Sequence, residues 1–179
     1  MSRVNIQTHL VPAASQSLLA QIQQAFGATP NMFKAVANSP AALQSMWSAF
    51  GALGQGSLEA KLAEQIAVAI ANRNRCEYCL AAHTVLGQNA GASAAEMSAA
   101  QAGHADDART TAALAFALKV VEQRAQIADA DIASLREAGF GDEQIVEIMA
   151  HVALNLFTNY VNLALDVPID FPKVALKDA

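Results

Sequence analysis

The sequence predicts an all-α fold: a multihelical bundle, one domain over residues 1–179, with an antiparallel helix hairpin at its working centre. Three observations carry this expectation. Apolar residues recur at helical spacing in one segment after another, as in Leu18, Leu19, Ile22 and Phe26. Glycines, prolines and short polar clusters fall between those segments. No stretch alternates apolar and polar residues as a half-buried strand would.

Residues 1–12 read as an extended arm ending at Pro12, and Ala14 to Phe26 as an amphipathic helix stopped by Gly27. Met32 to Asn38 is a short helix. Ser39 and Pro40 then supply an N-cap and a proline at the first helical position. The helix they open runs to Gly51 or Gly54 and carries Leu43, Met46, Trp47 and Phe50, which read as core or interface rather than a ligand box. Leu58 to about Arg73, rich in Ala, Leu, Ile and Glu, is a helix capped by Ser57. Asn72 to Arg75 is the turn, and Cys76 to about Leu86 is a second helix stopped by Gly87. Ser93 and Glu96 form a capping-box pattern for a helix that ends at Gly103. Asp106 or Asp107 caps the next, to about Arg124, and Asp129 or Asp131 caps one closed by Gly139. Gly141 to about Leu165, stopped before Pro168, is the longest.

Composition bounds the function. The chain is 54% hydrophobic, only 15% charged, and has a mean hydropathy of +0.24. No apolar run approaches the roughly 18 residues of a membrane span, so no membrane association is expected. The apolar excess instead predicts surface buried between subunits of a homo-oligomer. A net charge of −5 without a Lys/Arg-rich patch argues against nucleic acid. Residues 1–10 hold no apolar signal core, and a cysteine pair suited to redox work fits a reducing cytoplasm.

The chemistry concentrates between Glu64 and His83. This stretch holds both cysteines of the chain, Cys76 and Cys79, with His83 four residues after the second and Glu64 a lone carboxylate in an apolar run. If the two helices fold back on each other, Glu64 and His83 both lie about 12–14 Å from the turn and face one another. Cys79 is one helical turn from His83, and Cys76 and Cys79 are close enough for a disulfide. A dithiol, an imidazole and a carboxylate thus meet in one place. A thiolate is a nucleophile toward a peroxide O–O bond, a second thiol condenses the resulting sulfenic acid to a disulfide, and an imidazole oriented by a carboxylate relays the proton. The same four side chains also make a formal zinc set, but structural zinc sites draw ligands from two knuckles and no second pair exists. No cofactor beyond the cysteine pair is expected.

Glu64, Cys76, Cys79 and His83 match the E-x(11)-C-x-x-C-x(3)-H motif, and the chain resembles the alkyl hydroperoxidase D-like, peroxidase-related branch of the carboxymuconolactone decarboxylase superfamily. The segments from Pro30 to Pro40 and from Asn159 to Pro172 are similar to others of that branch, so the resemblance covers roughly residues 28 to 172. It implies that Cys79 attacks the hydroperoxide, Cys76 resolves, and Glu64 and His83 relay protons. It also implies a dithiol reductant, such as a lipoyl protein, a thioredoxin-like protein or a peroxiredoxin partner. Where some members carry a relay histidine before the second cysteine, this chain has Tyr78. His151, Asn155, Asn159 and Asn162 share one face of the last helix, a polar seam expected to bond neighbouring helices or a second subunit and to bring His151 to a pocket wall. Two other readings stay open: a lyase of the decarboxylase kind acting on a small lactone, which needs no cysteine pair, and a non-enzymatic redox sensor.

Overall fold

A computed structural model describes residues 2–178. Met1, the first residue of the expected arm, and Ala179 lie outside them. Among the described residues all regular structure is helical: α1 (Ala13–Phe26), α2 (Asn31–Val36), α3 (Pro40–Leu53), α4 (Ala60–Arg73), α5 (Glu77–Asn89), α6 (Ala94–Gln101), α7 (Ala108–Glu122), α8 (Asp129–Glu137) and α9 (Asp142–Ala164), with a 3₁₀ turn at Thr8–Leu10 in the arm. None is long and apolar enough to cross a membrane.

The bundle is built around α4, which packs against α5, α6, α7 and α9. Its sequence explains why. Leu62, Ile66, Val68 and Ile70 are buried on more than one side, and Ala67, Ala69 and Ala71 between them let neighbouring backbones come close. Fully buried side chains such as Ile66 and Ile70 contribute about 1.5–3 kcal/mol each.

Most helix ends follow the sequence. The Ser39 hydroxyl accepts the Ala42 N–H above Pro40, and Ser93 and Glu96 make both bonds of the capping box. Of the two aspartates before α7, Asp107 is the cap, its carboxylate accepting the Thr110 N–H at 2.8 Å. Neither aspartate before α8 is the cap. Asp129 is already helical, and Asp131 reaches back from the first turn to accept the Ala128 N–H.

Two ends differ for tertiary reasons. Ser57 does not cap α4, which starts at Ala60. The N–H groups of Ser57 and Leu58 donate instead to the Glu147 carboxylate of α9, at 2.9 and 2.8 Å. Gly56 makes room for it, because a Cβ there would lie 2.7 Å from the carboxylate. Gly87 does not stop α5, which runs on to Asn89. A Cβ at 87 would overlap the end of the Met97 side chain and sit 3.3 Å from Glu64 Cβ, so this glycine marks close packing of α5 on α4 and α6.

The backbone donors, Ser57 first, hold the Glu147 carboxyl below its usual range. A depressed carboxyl stabilises the fold above its unfolded pKa, and that contribution is lost as pH falls through the folded value. Glu147→Gln should therefore lower the melting temperature by a few degrees at neutral pH. The gap to wild type should close below about pH 4, which thermal melts across that range would show.

Candidate active site

The α4–α5 hairpin sets the geometry. Arg75, in a left-handed conformation (φ 60°), turns the chain so that Cys76 becomes the N-cap of α5 rather than its first helical residue. The Cys76 sulfur accepts the Cys79 N–H at 3.3 Å. The two cysteines are joined by a disulfide, with Cα atoms 5.4 Å apart, as their spacing allows. Both are buried, at 1% and 2% exposure.

Two turns further along, His83 Nδ1 lies 2.7 Å from Glu64 Oε2, a pair formed across the hairpin. This bond leaves Nε2 as the ring nitrogen free to act elsewhere. Cys79, His83 and Glu64 all line one cavity of about 320 Å³. No direct hydrogen bond joins Cys79 to His83 among the described residues, so the two meet across cavity space. Much of the remaining wall is aromatic, with Phe26, Phe33, Trp47 and Phe50 in contact at ring-centroid distances of 5.6–6.2 Å. Trp47 and Phe50 thus serve the pocket, whereas Leu43 and Met46 are core. Helical periodicity alone does not separate these roles, because the core-facing and cavity-facing positions of α3 are both apolar.

Tyr78 lines the same cavity with its ring, edge-on to Phe171. Its hydroxyl accepts the Met32 N–H at 3.1 Å. Burial first, then the nearby Asp170 carboxylate, push its ionisation far above the usual phenol range. Tyr78 is therefore a neutral group tied to α2.

The polar seam of α9 divides. His151 does not reach the aromatic cavity. It lines a neighbouring one that also touches Glu64 and His83, and burial lowers its pKa despite the opposing pull of Glu64 and Glu147. Asn159 accepts a bond from Asn74 in the hairpin turn at 3.0 Å. The seam residue that meets the sulfur is Asn162, whose Nδ2 donates to Cys79 Sγ at 3.2 Å. Each of these residues, and Asn155, also has one buried polar atom without a hydrogen-bond partner: His151 Nε2, Asn155 Oδ1, Asn159 Nδ2 and Asn162 Oδ1. Four such atoms in one row is an unusual concentration for a native interior.

Comparison with known proteins agrees with this architecture. Residues 40–123, which contain all four motif residues, match the carboxymuconolactone decarboxylase family. The alkylhydroperoxidase AhpD core of a peroxidase-related protein from Ralstonia eutropha JMP134 superposes with a TM-score of 0.86 at 27% identity, covering 94% of this chain and 92% of that one. A peroxidase-related protein from Silicibacter sp. TM1040 gives 0.82 at 26% identity, covering 97% and 92%. A debrominase at 20% identity shares the fold, with a TM-score of 0.76 and coverage of 93% and 94%. No curated protein matches the chain. The motif, the fold and these likenesses coincide on the same residues: the match to the carboxymuconolactone decarboxylase family spans the α3–α7 core, and the whole chain is similar in fold to alkyl hydroperoxidase D-like, peroxidase-related proteins.

Proposed function

We propose that the protein is a thiol-dependent peroxidase that reduces organic hydroperoxides at Cys79. The observation that carries the reading is the convergence of the Cys79 sulfur and the His83–Glu64 pair on one cavity, with Cys76 already bonded to Cys79.

In the reduced protein, His83 takes the Cys79 proton, and the thiolate attacks the outer oxygen of the hydroperoxide. The O–O bond breaks, the sulfur is oxidised to sulfenic acid, and the departing alkoxide takes the proton from His83 as an alcohol. Glu64 orients the ring throughout. Cys76 then attacks the Cys79 sulfur, water leaves, and the disulfide forms. A dithiol of the lipoyl, thioredoxin or peroxiredoxin kind returns the pair to thiols. Asn162 stabilises negative charge on Cys79 through its amide N–H. Tyr78, neutral and bonded to α2, acts as pocket wall, and His151 stands behind the relay pair rather than in the cavity. The aromatic wall favours a hydroperoxide with an apolar tail over hydrogen peroxide. The decisive assay is consumption of cumene hydroperoxide with dihydrolipoamide or thioredoxin as donor, by wild type and Cys79→Ser. Turnover that survives the substitution would overturn the proposal, and turnover of a lactone by that variant would favour the lyase.

The protein is further proposed to act in the cytoplasm as a homo-oligomer. Val146, Phe157 and Tyr160 lie near one face of α9 and are 66%, 39% and 58% exposed. Light scattering at micromolar concentration should give a multiple of the chain mass, and Tyr160→Glu should shift it toward the monomer.

A further inference from the structure

The two cysteines of the disulfide do not line the same space. Cys79 lines the aromatic cavity. Cys76 lines a different one, of about 290 Å³, bounded by Arg75, Glu77, Leu163, Asp166 and Ile169. The two cavities share Tyr78 and Asn162. Asn162 is 4% exposed and bonded to Cys79 Sγ, and it stands between them as a partition.

Building on the peroxidase reading, we propose that the cavity over Cys76 is the binding site for the thiol reductant, separate from the site of the hydroperoxide. Attack on a disulfide sulfur runs in line with the S–S bond, so the incoming thiolate reaches the attacked sulfur from the side away from its partner. Of the two cavities, only the proposed reductant site is lined by Cys76, and only the aromatic one is lined by Cys79, so each gives access to one end of the disulfide. The two spaces differ in what they tolerate. In the aromatic cavity the polar groups His83, Glu64, Thr158 and Asn162 stand with Cys79, and a reductant thiolate entering past Phe26, Phe33, Trp47 and Phe50 loses hydration on the way. The Cys76 cavity is edged by charged and exposed residues, Arg75, Glu77 and Asp166 among them.

Leaving-group chemistry is compatible with this direction without dictating it. Cys76 Sγ has the Cys79 N–H as donor and Cys79 Sγ has Asn162 Nδ2, so either sulfur is equipped to depart as a thiolate. Access decides. The reductant thiolate bonds to Cys76 Sγ, the Cys76–Cys79 bond breaks, and its electron pair leaves on Cys79, held by Asn162. The reductant's second thiol, on losing its proton, then attacks its own sulfur in the mixed disulfide. Cys76 is released as a thiolate and the oxidised reductant as a cyclic disulfide.

The half-reactions test this separately. Protein oxidised with diamide is mixed with dithiothreitol or dihydrolipoamide, quenched with acid, alkylated, and scored for thiols by mass. Leu163→Trp and Ile169→Trp, which narrow the Cys76 cavity, should slow reduction by about tenfold or more. The oxidation of their thiols by cumene hydroperoxide should stay at the wild-type rate. Gly51 lines the aromatic cavity, and a Cβ there meets nothing within 4 Å. Gly51→Leu should do the reverse. In the wild-type protein, cumyl alcohol should slow oxidation and leave reduction unchanged. Reduction at the wild-type rate in both tryptophan variants would overturn the proposal, as would reduction slowed by Gly51→Leu or by cumyl alcohol. Because diamide makes the disulfide without a peroxide, these outcomes remain readable even if cumene hydroperoxide proves not to be a substrate.

Discussion

Cys79→Ser is expected to lower hydroperoxide turnover by at least about a thousandfold, because Cys76, the other thiol, does not line the cavity of the relay pair. Cys76→Ser should behave differently. It should react once with hydroperoxide and stop, accumulating sulfenic acid at Cys79 that dimedone traps, since no resolving thiol remains. Two effects compete for the role of nucleophile. Cys76 caps α5, and the Cys79 N–H on its sulfur, together with the helix terminus, stabilises a thiolate there by about 0.3–1 kcal/mol. Cys79 has the Asn162 amide and shares its cavity with His83 and Glu64. A base able to take the thiol proton and return it to the leaving oxygen is worth about 10²–10⁴ in rate, which outweighs the terminal dipole. Dimedone label on Cys76 in Cys79→Ser, with none on Cys79 in Cys76→Ser, would reverse the assignment.

Glu64→Gln should slow the oxidation of Cys79 by hydroperoxide about 10²–10³-fold while the folded protein persists. The substitution keeps the size of the side chain and a hydrogen bond to His83 Nδ1, and it removes the negative charge that steadies a protonated ring. The pair spans the hairpin and is half-buried, so some loss of melting temperature is expected as well. Stopped-flow oxidation per folded molecule separates the two effects. A purely structural pair would lower the melting temperature and leave that rate unchanged.

The site was legible in the sequence to the extent that it is local. Spacing along two adjacent helices fixes which faces Glu64, Cys79 and His83 share, and the turn between them is short enough that no distant element intervenes. What depended on distant elements was not legible. Ser57 satisfies every sequence criterion for a cap, but a carboxylate from α9, far along the chain, takes the N–H groups nearby. The α9 seam shows four polar residues in a row, and only the tilt of that helix over the hairpin decides that Asn162, not His151, meets the sulfur. Trp47 and Phe50 carry no mark distinguishing a cavity wall from a core, because both require the same apolar surface.

Gly87 has a longer reach than its size suggests. The span between Glu64 and His83 depends on how near α4 and α5 lie, and at position 87 that nearness is limited by a hydrogen atom. Any side chain there must be accommodated by Met97, which can swing aside, or by Glu64, whose Cβ cannot move without shifting its carboxylate relative to the imidazole. Position 87 thus works as a spacer gauge. An alanine at 87 would displace the end of Met97 and bring its Cβ to 3.3 Å from Glu64 Cβ, so the room Met97 leaves decides how far Glu64 must shift. Proton delivery at the sulfur is in this way tied to the choice of an apolar side chain on α6 that never touches the substrate.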